Sequence, residues 1–225
     1  MRYLRRLLWC VRNGKEIIKN TIAVDYELLG SDYGGWAVML DNLHSNSIVY
    51  SFGVGNDISF DQAVVAHRDC DVYLFDPTYG VKDWFDKINN SNKLKFSTFG
   101  LWDKDEKTYF YKPINANHVS CSAIDESPES GRYQVDMKCL KTIMKENGHR
   151  QIDLLKMDIE GAEFRVIDDM LACQLFPQQW LIEFHHGYYG IDYDATVSSI
   201  RKLCASGYEI FHVSHSGHEI SFLRR

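Results

Sequence analysis

Short apolar segments alternate with amphipathic segments along most of the chain. Residues 48–52 form a nearly continuous apolar run that ends at Gly53, which is typical of a buried parallel strand turning into a helix. Residues 93–99 alternate polar and apolar side chains, which predicts a strand nearer the sheet edge. The full pattern predicts strands at 48–52, 71–75, 93–99, 152–157, 180–184, 208–213 and 219–223. It predicts helices between them at 57–67, 81–88, 137–146, 162–173 and 196–205.

The order of these segments predicts an α/β fold. Strand and helix alternation is typical of a parallel sheet with helices on both faces. The last two strands are joined by a short turn containing Gly217, so we expect an antiparallel hairpin. We assign this domain to residues 48–225, with an irregular insertion at about 101–135. Residues 1–47 are expected to form a helical extension, in which residues 33–36 are either a packed turn or an aromatic gate.

Composition and charge limit the classes of partner that the chain can be expected to bind. Its 225 residues are 45% hydrophobic and 25% charged, which is ordinary globular composition. The formal net charge of -6 argues against a protein that binds nucleic acid by neutralising phosphates. The six cysteines show no CxxC spacing, so we interpret them as reduced thiols and expect a cytoplasmic location. No stretch reaches the ~18 apolar residues that cross a bilayer.

The N-terminal twelve residues are both basic and amphipathic. Apolar residues there are spaced to line one face of a helix. The helix either packs against its own domain or contacts a membrane surface or a partner. The arginines are Arg2, Arg5, Arg6 and Arg12, and the apolar residues are Leu4, Leu7, Leu8 and Val11.

Parallel sheets of this kind bind ligands at the carboxyl ends of their strands. Gly53 and Gly55 follow the first strand, and glycines there allow backbone amides to approach a ligand closely. Ile58 replaces the third glycine of a dinucleotide-binding motif, which disfavours hydride transfer with NAD. Asp76 follows the second strand, about twenty residues later, where a carboxylate suits a ribose diol. This spacing fits adenosine ligands in general.

The fourth predicted strand carries charge where an apolar residue is expected. A buried Lys156 is costly unless it is paired, so we predict a carboxylate partner for it. Period-two alternation places Lys156, Asp158 and Glu160 on one side. Glu160 and Glu163 also suit the N-terminus of the next helix, but Asp158 needs another explanation.

The run IDLLKMDIEGAEF resembles the signature of the FkbM-type S-adenosylmethionine-dependent methyltransferases. VYSFGVGNDISF, YLFDP and WLIEFHH stand in the order found in this family, and the resemblance covers roughly residues 33–225. It implies a seven-stranded class I methyltransferase fold, mostly parallel, with a C-terminal antiparallel hairpin. It also implies S-adenosylmethionine as the cofactor.

The resemblance implies roles for individual residues. Gly53 and Gly55 would face the methionine part of the cofactor, and Asp76 its ribose. Residues 100–102 would border the adenine, and Asp158 would lie near the sulfonium and the acceptor. Ser51 stands where many methyltransferases have an acid, and Asp57 where many have a third glycine, so contacts to the cofactor's amino group are left open. The implied cofactor-binding residues are Phe52, Gly53, Gly55, Asn56, Asp76, Pro77, Gly100, Leu101, Trp102 and Asp158.

A hydroxyl acceptor needs a base near neutral pH, and histidine is the side chain most readily poised there. His185 and His186 follow the fifth predicted strand, beside Asp158 in the family fold. We predict one of them as the base, oriented by Glu183, with a structural histidine pair as the alternative. Asp158, Glu183 and His185, together with Glu160, also compose a candidate metal site.

These observations predict an O-methyltransferase acting on a small molecule or glycan. Tyr109, Phe110, Tyr111 and His118 of the insertion are expected to influence substrate choice. Two alternatives stay open. One is a metal-dependent hydrolase using Asp158, Glu183 and His185, and the other is a non-catalytic module that binds S-adenosylmethionine.

Overall fold

The computed structural model describes residues 2–111, 121–124 and 131–225. Helices and strands alternate through most of this part of the chain. The helices are α1 Arg2–Arg12, α2 Ser59–Arg68, α3 Val81–Ile88, α4 Leu140–Asn147, α5 Glu163–Ala172 and α6 Tyr193–Ala205. The first strands are β1 Glu27–Leu29, β2 Trp36–Val38, β3 Ile48–Phe52, β4 Asp71–Phe75, β5 Leu94–Ser97 and β6 Gly100–Trp102. The remaining strands are β7 Glu106–Tyr111, β8 Arg132–Cys139, β9 Leu154–Met157, β10 Gln179–Glu183, β11 Tyr208–Val213 and β12 Glu219–Arg224.

A seven-stranded sheet lies at the centre, in the order β11-β12-β10-β9-β3-β4-β5. Strands β10, β9, β3, β4 and β5 are parallel, whereas β12 is antiparallel to both β10 and β11. This confirms the predicted fold class, including the closing hairpin and the edge position of the third predicted strand. The strand order reverses between β3 and β9, which is the place where such sheets bind ligands.

Side chains alternate across the central sheet, as strand geometry requires. Tyr50, Phe52 and Leu155 face the layer that contains α4, α5 and α6. Val49 and Leu154 face the layer that contains α2 and α3. Because both faces are covered, a ligand can approach this sheet only at the ends of its strands.

A second sheet replaces the irregular insertion predicted at 101–135. Strands β6, β8 and β7 form it in that order. The predicted helix at 137–146 begins at Leu140, because residues 132–139 belong to β8. Val135 and Met137 of β8 are buried and Asp136 between them is exposed, which is the period of a strand and not of a helix. The start of this helix was therefore predicted wrongly. His118 lies outside the described residues.

The N-terminal segment combines helix α1 with the β1-β2 hairpin. Gln179 holds this segment on the central sheet, since its side chain accepts a hydrogen bond from the Met39 amide at 2.9 Å and donates one to the Met39 carbonyl at 2.8 Å. In α1, Cys10 is buried, whereas the apolar residues Leu4, Leu8 and Val11 are exposed. The domain boundary at residue 47 and a membrane contact through residues 1–12 stay predictions. None of the described helices is long and apolar enough to span a membrane.

Candidate active site

A cavity of about 900 Å³ lies at the carboxyl ends of the parallel strands. Residues that follow β3, β4, β9 and β10 line it together, so the strand ends converge on one crevice. The predicted site residues in its wall are Phe52, Gly53, Gly55, Asn56, Asp76, Pro77, Gly100, Leu101, Trp102, Asp158, Glu183 and His185.

His186 is the predicted site residue that this wall does not include. Its ring stacks on His218, with centroids 4.2 Å apart, and its Nδ1 lies 3.1 Å from Thr196 Oγ1. Burial, followed by the charge of His218, lowers the pKa of His186 to about 4. The ring is therefore neutral and packed behind the site. The alternation of side chains in β10 continues past its last residue, Glu183. Glu183 and His185 therefore face the cavity, and His186 faces away from it.

The glycine turn after β3 comes very close to the end of β9. Gly53 has a φ of 76°, and a Cβ built on it would lie 1.6 Å from the carbonyl oxygen of Asp158. A side chain at position 53 would clash with that backbone, so only glycine fits there. Gly55 has a φ of 55°, but nothing lies within 4 Å of a Cβ built on it.

Asp76 holds the glycine turn from the neighbouring strand. Its Oδ2 accepts hydrogen bonds from the amides of Val54 at 2.9 Å and Gly55 at 2.8 Å. Its Oδ1 accepts one from the amide of Thr78 at 2.8 Å. The carboxylate is therefore a structural clamp as well as a candidate ribose ligand, which its position in the sequence did not indicate.

Lys156 is buried in β9, as predicted, but its direct contacts differ from those predicted. Its Nζ donates a hydrogen bond to the carbonyl of Gly53 at 2.7 Å and lies 5.6 Å from the ring centroid of Trp36. No carboxylate of the described residues forms an ion pair with it within 4.0 Å. Its charge nevertheless favours ionisation of Asp61 and Asp158 nearby.

Asp61 in the first turn of α2 is a cavity residue that sequence reasoning missed. It is 1% exposed, and its Oδ1 has no hydrogen-bond partner among the described residues. Burial raises the pKa of Asp61 to about 6, although the charge of Lys156 opposes the shift. The sequence did contain a signal for this residue. Asp61 lies between the buried positions Phe60 and Val64 on an otherwise apolar helix face, where an acid is costly without a function.

A group of ionisable residues, here named the acidic cluster, lies at the ends of β9 and β10. His185 is at its centre. Its Nε2 lies 3.3 Å from Glu160 Oε2 and 3.7 Å from Asp158 Oδ1. Its Nδ1 lies 3.4 Å from Glu163 Oε1, without the alignment of a hydrogen bond. The members of the cluster are Asp158, Glu160, Glu163, Glu183 and His185.

Glu163 supports His185 from behind, in the place predicted for Glu183. It is fully buried, and its Oε1 accepts the backbone amide of His185 at 2.7 Å. Its Oε2 accepts the amide of Gly161 at 2.9 Å. Both oxygens are therefore anchored by backbone. Glu160, which precedes Gly161, has a φ of 52°, an uncommon value that often marks functional sites.

The charges of the acidic cluster are not balanced. Burial, then the charge of Asp158, raises the pKa of Glu183 to about 8. Burial also raises the pKa of Asp158 to about 6, although Lys156 lowers it. For His185, burial lowers the pKa, but Glu163, Glu160 and Asp158 together outweigh this and raise it to about 10. His185 by itself therefore holds its proton at neutral pH, which is unlike a free base.

The loop predicted as a gate lies against the cavity. Residues 33–36 all line it, and Tyr33 is 90% exposed. Ser31 connects the loop to the glycine turn, since its Oγ accepts the amide of Gly34 at 2.9 Å and contacts the carboxylate of Asp57. From the predicted insertion, Phe110 and Cys121 also line the cavity. Tyr188, Tyr189 and Glu219 complete the wall near the acidic cluster.

Comparison with known proteins identifies the class to which this fold and site belong. The sequence model of the methyltransferase FkbM domain matches residues 37–210, which is most of the chain. The chain therefore belongs to the FkbM methyltransferase domain family. This confirms the resemblance carried by the run at 152–164. The comparisons do not favour a hydrolase or a non-catalytic module.

The chain is also similar to individual proteins. It is 26% identical over 195 residues to a probable methyltransferase-like protein 24 of Homo sapiens, covering 79% of this chain and 47% of that protein. The corresponding rat protein is 25% identical over 174 residues, covering 73% of this chain and 42% of that protein. The chain thus spans less than half the length of these curated relatives.

Among solved structures, a fibrillarin pre-rRNA processing protein of Methanococcus jannaschii superimposes with a TM-score of 0.50 at 11% identity. The superposition covers 93% of this chain and 86% of that protein. At this identity the likeness concerns the fold alone, and it agrees with the class I methyltransferase architecture.

Proposed function

We propose that the chain binds S-adenosylmethionine in the 900 Å³ cavity and transfers its methyl group to a hydroxyl oxygen of a small molecule or glycan. The observation that carries the proposal is that two chemically different groups of residues line the two ends of one cavity. One end presents the glycine turn at residues 53–55, and the other presents the acidic cluster.

The glycine end has the features that an adenosyl cofactor needs. Gly53 and Gly55 bring bare backbone to the wall, and Asp76 keeps this turn in place. The unpartnered oxygen of Asp61 offers a buried negative charge for the cofactor's amino group, where Ser51 cannot supply one. A cavity of this volume lies within the range of typical ligand pockets, about 300–1,000 Å³.

The acidic cluster suits a hydroxyl acceptor. S-adenosylmethionine supplies a methyl group whose transfer is an in-line displacement, so the protein must align the acceptor oxygen and remove its proton. The carboxylates of this end line the cavity, where one of them can take up the proton of a hydroxyl acceptor. The negative charge of the cluster repels phosphates, which favours an uncharged acceptor over nucleic acid.

Calorimetry with S-adenosylmethionine, followed by a methyl-transfer assay on a panel of hydroxylated small molecules and glycans, tests the proposal. We expect saturable binding to one site and release of S-adenosylhomocysteine with at least one class of acceptor. Failure to bind the cofactor refutes the proposal. Binding with transfer only to nitrogen or carbon acceptors refutes the assignment to hydroxyl oxygen.

A further inference from the structure

Three side chains of the acidic cluster are placed together by the register of two neighbouring strands. Ile182 of β10 pairs with Met157 of β9, so Glu183 and Asp158 are the next residues on adjacent parallel strands. His185 follows two residues later. One ligand atom from each of Asp158, Glu183 and His185 lies within 4.8 Å of the others. The position of this trio therefore depends on the rigid sheet, and preorganisation of this kind favours metal binding.

The imidazole of His185 is held as metal-binding histidines are held. Its side chain is 8% exposed, with Nδ1 toward the buried carboxylate of Glu163 and Nε2 toward Asp158 and Glu160. A metal-ligating histidine commonly presents its second ring nitrogen to a carboxylate, which orients the ring. Glu163 is itself anchored by two backbone amides. The ring is thus fixed with Nε2 directed at Asp158 of the trio and at Glu160 beside it.

The charge around the trio leaves room for a cation. Asp158, Glu160, Glu183 and Glu219 all line this cavity. Lys156 is the one lysine or arginine among the described lining residues, and its Nζ is engaged by the carbonyl of Gly53. Carboxylates that share a cavity with too little positive charge repel one another, and a bound cation relieves that repulsion.

We propose that Asp158, Glu183 and His185 bind one divalent cation of the Mn²⁺ class. Two carboxylates with one imidazole form an oxygen-rich, borderline ligand set that suits such ions. Three protein ligands leave further coordination positions, and the trio faces the cavity. We assign one of these positions to the hydroxyl oxygen of the acceptor, an assignment that rests on the proposed function. A second free position favours acceptors with two neighbouring oxygens, because both oxygens can then bind the ion.

Titration with Mn²⁺ tests the site without any cofactor or acceptor. The protein is freed of metal with a chelator, and free Mn²⁺ is followed by its electron paramagnetic resonance signal. We expect one saturable site in the wild type. Asp158→Asn and Glu183→Gln keep the side-chain size, and each should weaken the affinity by about tenfold or more. Asp57→Asn changes another carboxylate of the same cavity, one already bound to Ser31 and Ser59, and should leave the affinity within about twofold.

Pulsed resonance of bound Mn²⁺ tests the imidazole ligand directly. We expect nitrogen coupling in the wild type and its loss in His185→Gln. Absence of saturable Mn²⁺ binding to the wild type overturns the proposal, whether or not the variants fold. Equal affinity in the wild type, Asp158→Asn and Glu183→Gln also overturns it.

Calorimetry with S-adenosylmethionine on the same metal-free samples separates the two proposals. Cofactor binding without Mn²⁺ binding overturns the metal site and leaves the proposed function standing. Mn²⁺ binding without cofactor binding refutes the proposed function and supports the metal site.

Discussion

The two ends of the cavity are built on different physical principles. At the glycine end, the carboxylate of Asp76 accepts three backbone amides, so its charge is satisfied within the protein. In the acidic cluster, Asp158 and Glu183 are half-buried beside other carboxylates, and Lys156 is the one lysine or arginine among the described residues of the cavity wall. The polar groups of the glycine end are therefore satisfied without a ligand, whereas the acidic cluster is stabilised when a ligand or cation reduces the repulsion between its charges. Substitutions should therefore act mainly on folding at the glycine end and mainly on chemistry in the cluster.

Gly53→Ala should have the largest effect, because it adds a Cβ that meets the Asp158 carbonyl and forces an unfavourable φ. We expect a loss of about 3 kcal/mol or more in the free energy of unfolding, measured with urea. Gly55→Ala is the matched control, since nothing surrounds its Cβ, and should cost about 1–2 kcal/mol for the positive φ alone. Equal losses would show that close packing against β9 is not what requires Gly53.

Asp76→Ala should weaken both folding and cofactor binding. Removing the carboxylate leaves three amide donors without their acceptor, so we expect a loss of about 3 kcal/mol in the free energy of unfolding. The affinity for S-adenosylmethionine, measured by calorimetry, should fall about tenfold or more as the glycine turn loosens. Asp71→Ala, at the opposite end of β4, removes a surface ion pair with Lys95 and should cost under about 1 kcal/mol. A cofactor affinity unchanged by Asp76→Ala would remove this residue from the site.

His185→Gln should reduce methyl transfer more than it reduces cofactor binding. His185 is a ligand of the proposed metal ion, so its loss should lower turnover by about 100-fold while the cofactor affinity changes by less than about threefold. His186→Gln tests its neighbour, which lies behind the cavity wall against His218, and should keep turnover within about threefold. A larger loss of turnover in His186→Gln than in His185→Gln would contradict the placement of the two rings.

Asp61→Asn should have the smallest effect on stability, and the size of this effect should depend on pH. Burial raises the pKa of Asp61 to about 6 in the folded chain, above its ordinary value of 3.8, so folding favours the protonated form. The wild type therefore loses stability as pH rises from about 4 to 6, and the loss persists above pH 6. We expect the variant to be about 2–3 kcal/mol more stable at pH 7 and equal to the wild type below about pH 4.

The same Asp61→Asn substitution should weaken binding of S-adenosylmethionine if this carboxylate meets the amino group. A variant that is more stable but binds the cofactor more weakly would show that Asp61 serves the ligand and not the fold. Asp76, whose carboxylate is satisfied within the protein, is expected to serve both. The exposed Asp69→Asn at the end of α2 is the control, and its unfolding free energy at pH 7 should stay within about 1 kcal/mol of that of the wild type. A pH-independent difference for Asp61→Asn would contradict the raised pKa.

Local pattern was sufficient for the central sheet and for the general place of the site. The apolar run at 48–52 and the alternation at 93–99 report burial directly, since a strand's neighbours impose a period of two. Residues 100–139 were misread because β7 carries charges and lacks a clear period, and because the alternation of polar and apolar residues in β8 runs directly into helix α4. Their pairing across about thirty residues of sequence could not be seen locally.

By itself, the sequence determined the strand and helix order of the central sheet, the closing hairpin, the glycine turn and the group of acids after β9, because each depends on residues adjacent in the chain. Only the tertiary structure decided that Glu163 rather than Glu183 supports His185, that His186 lies outside the cavity, and that Asp61 enters it. These facts depend on burial and on contacts between residues on different strands and helices, which no local spacing records. Charge balance follows the same rule, because the pKa of a carboxylate depends on which groups surround it in space.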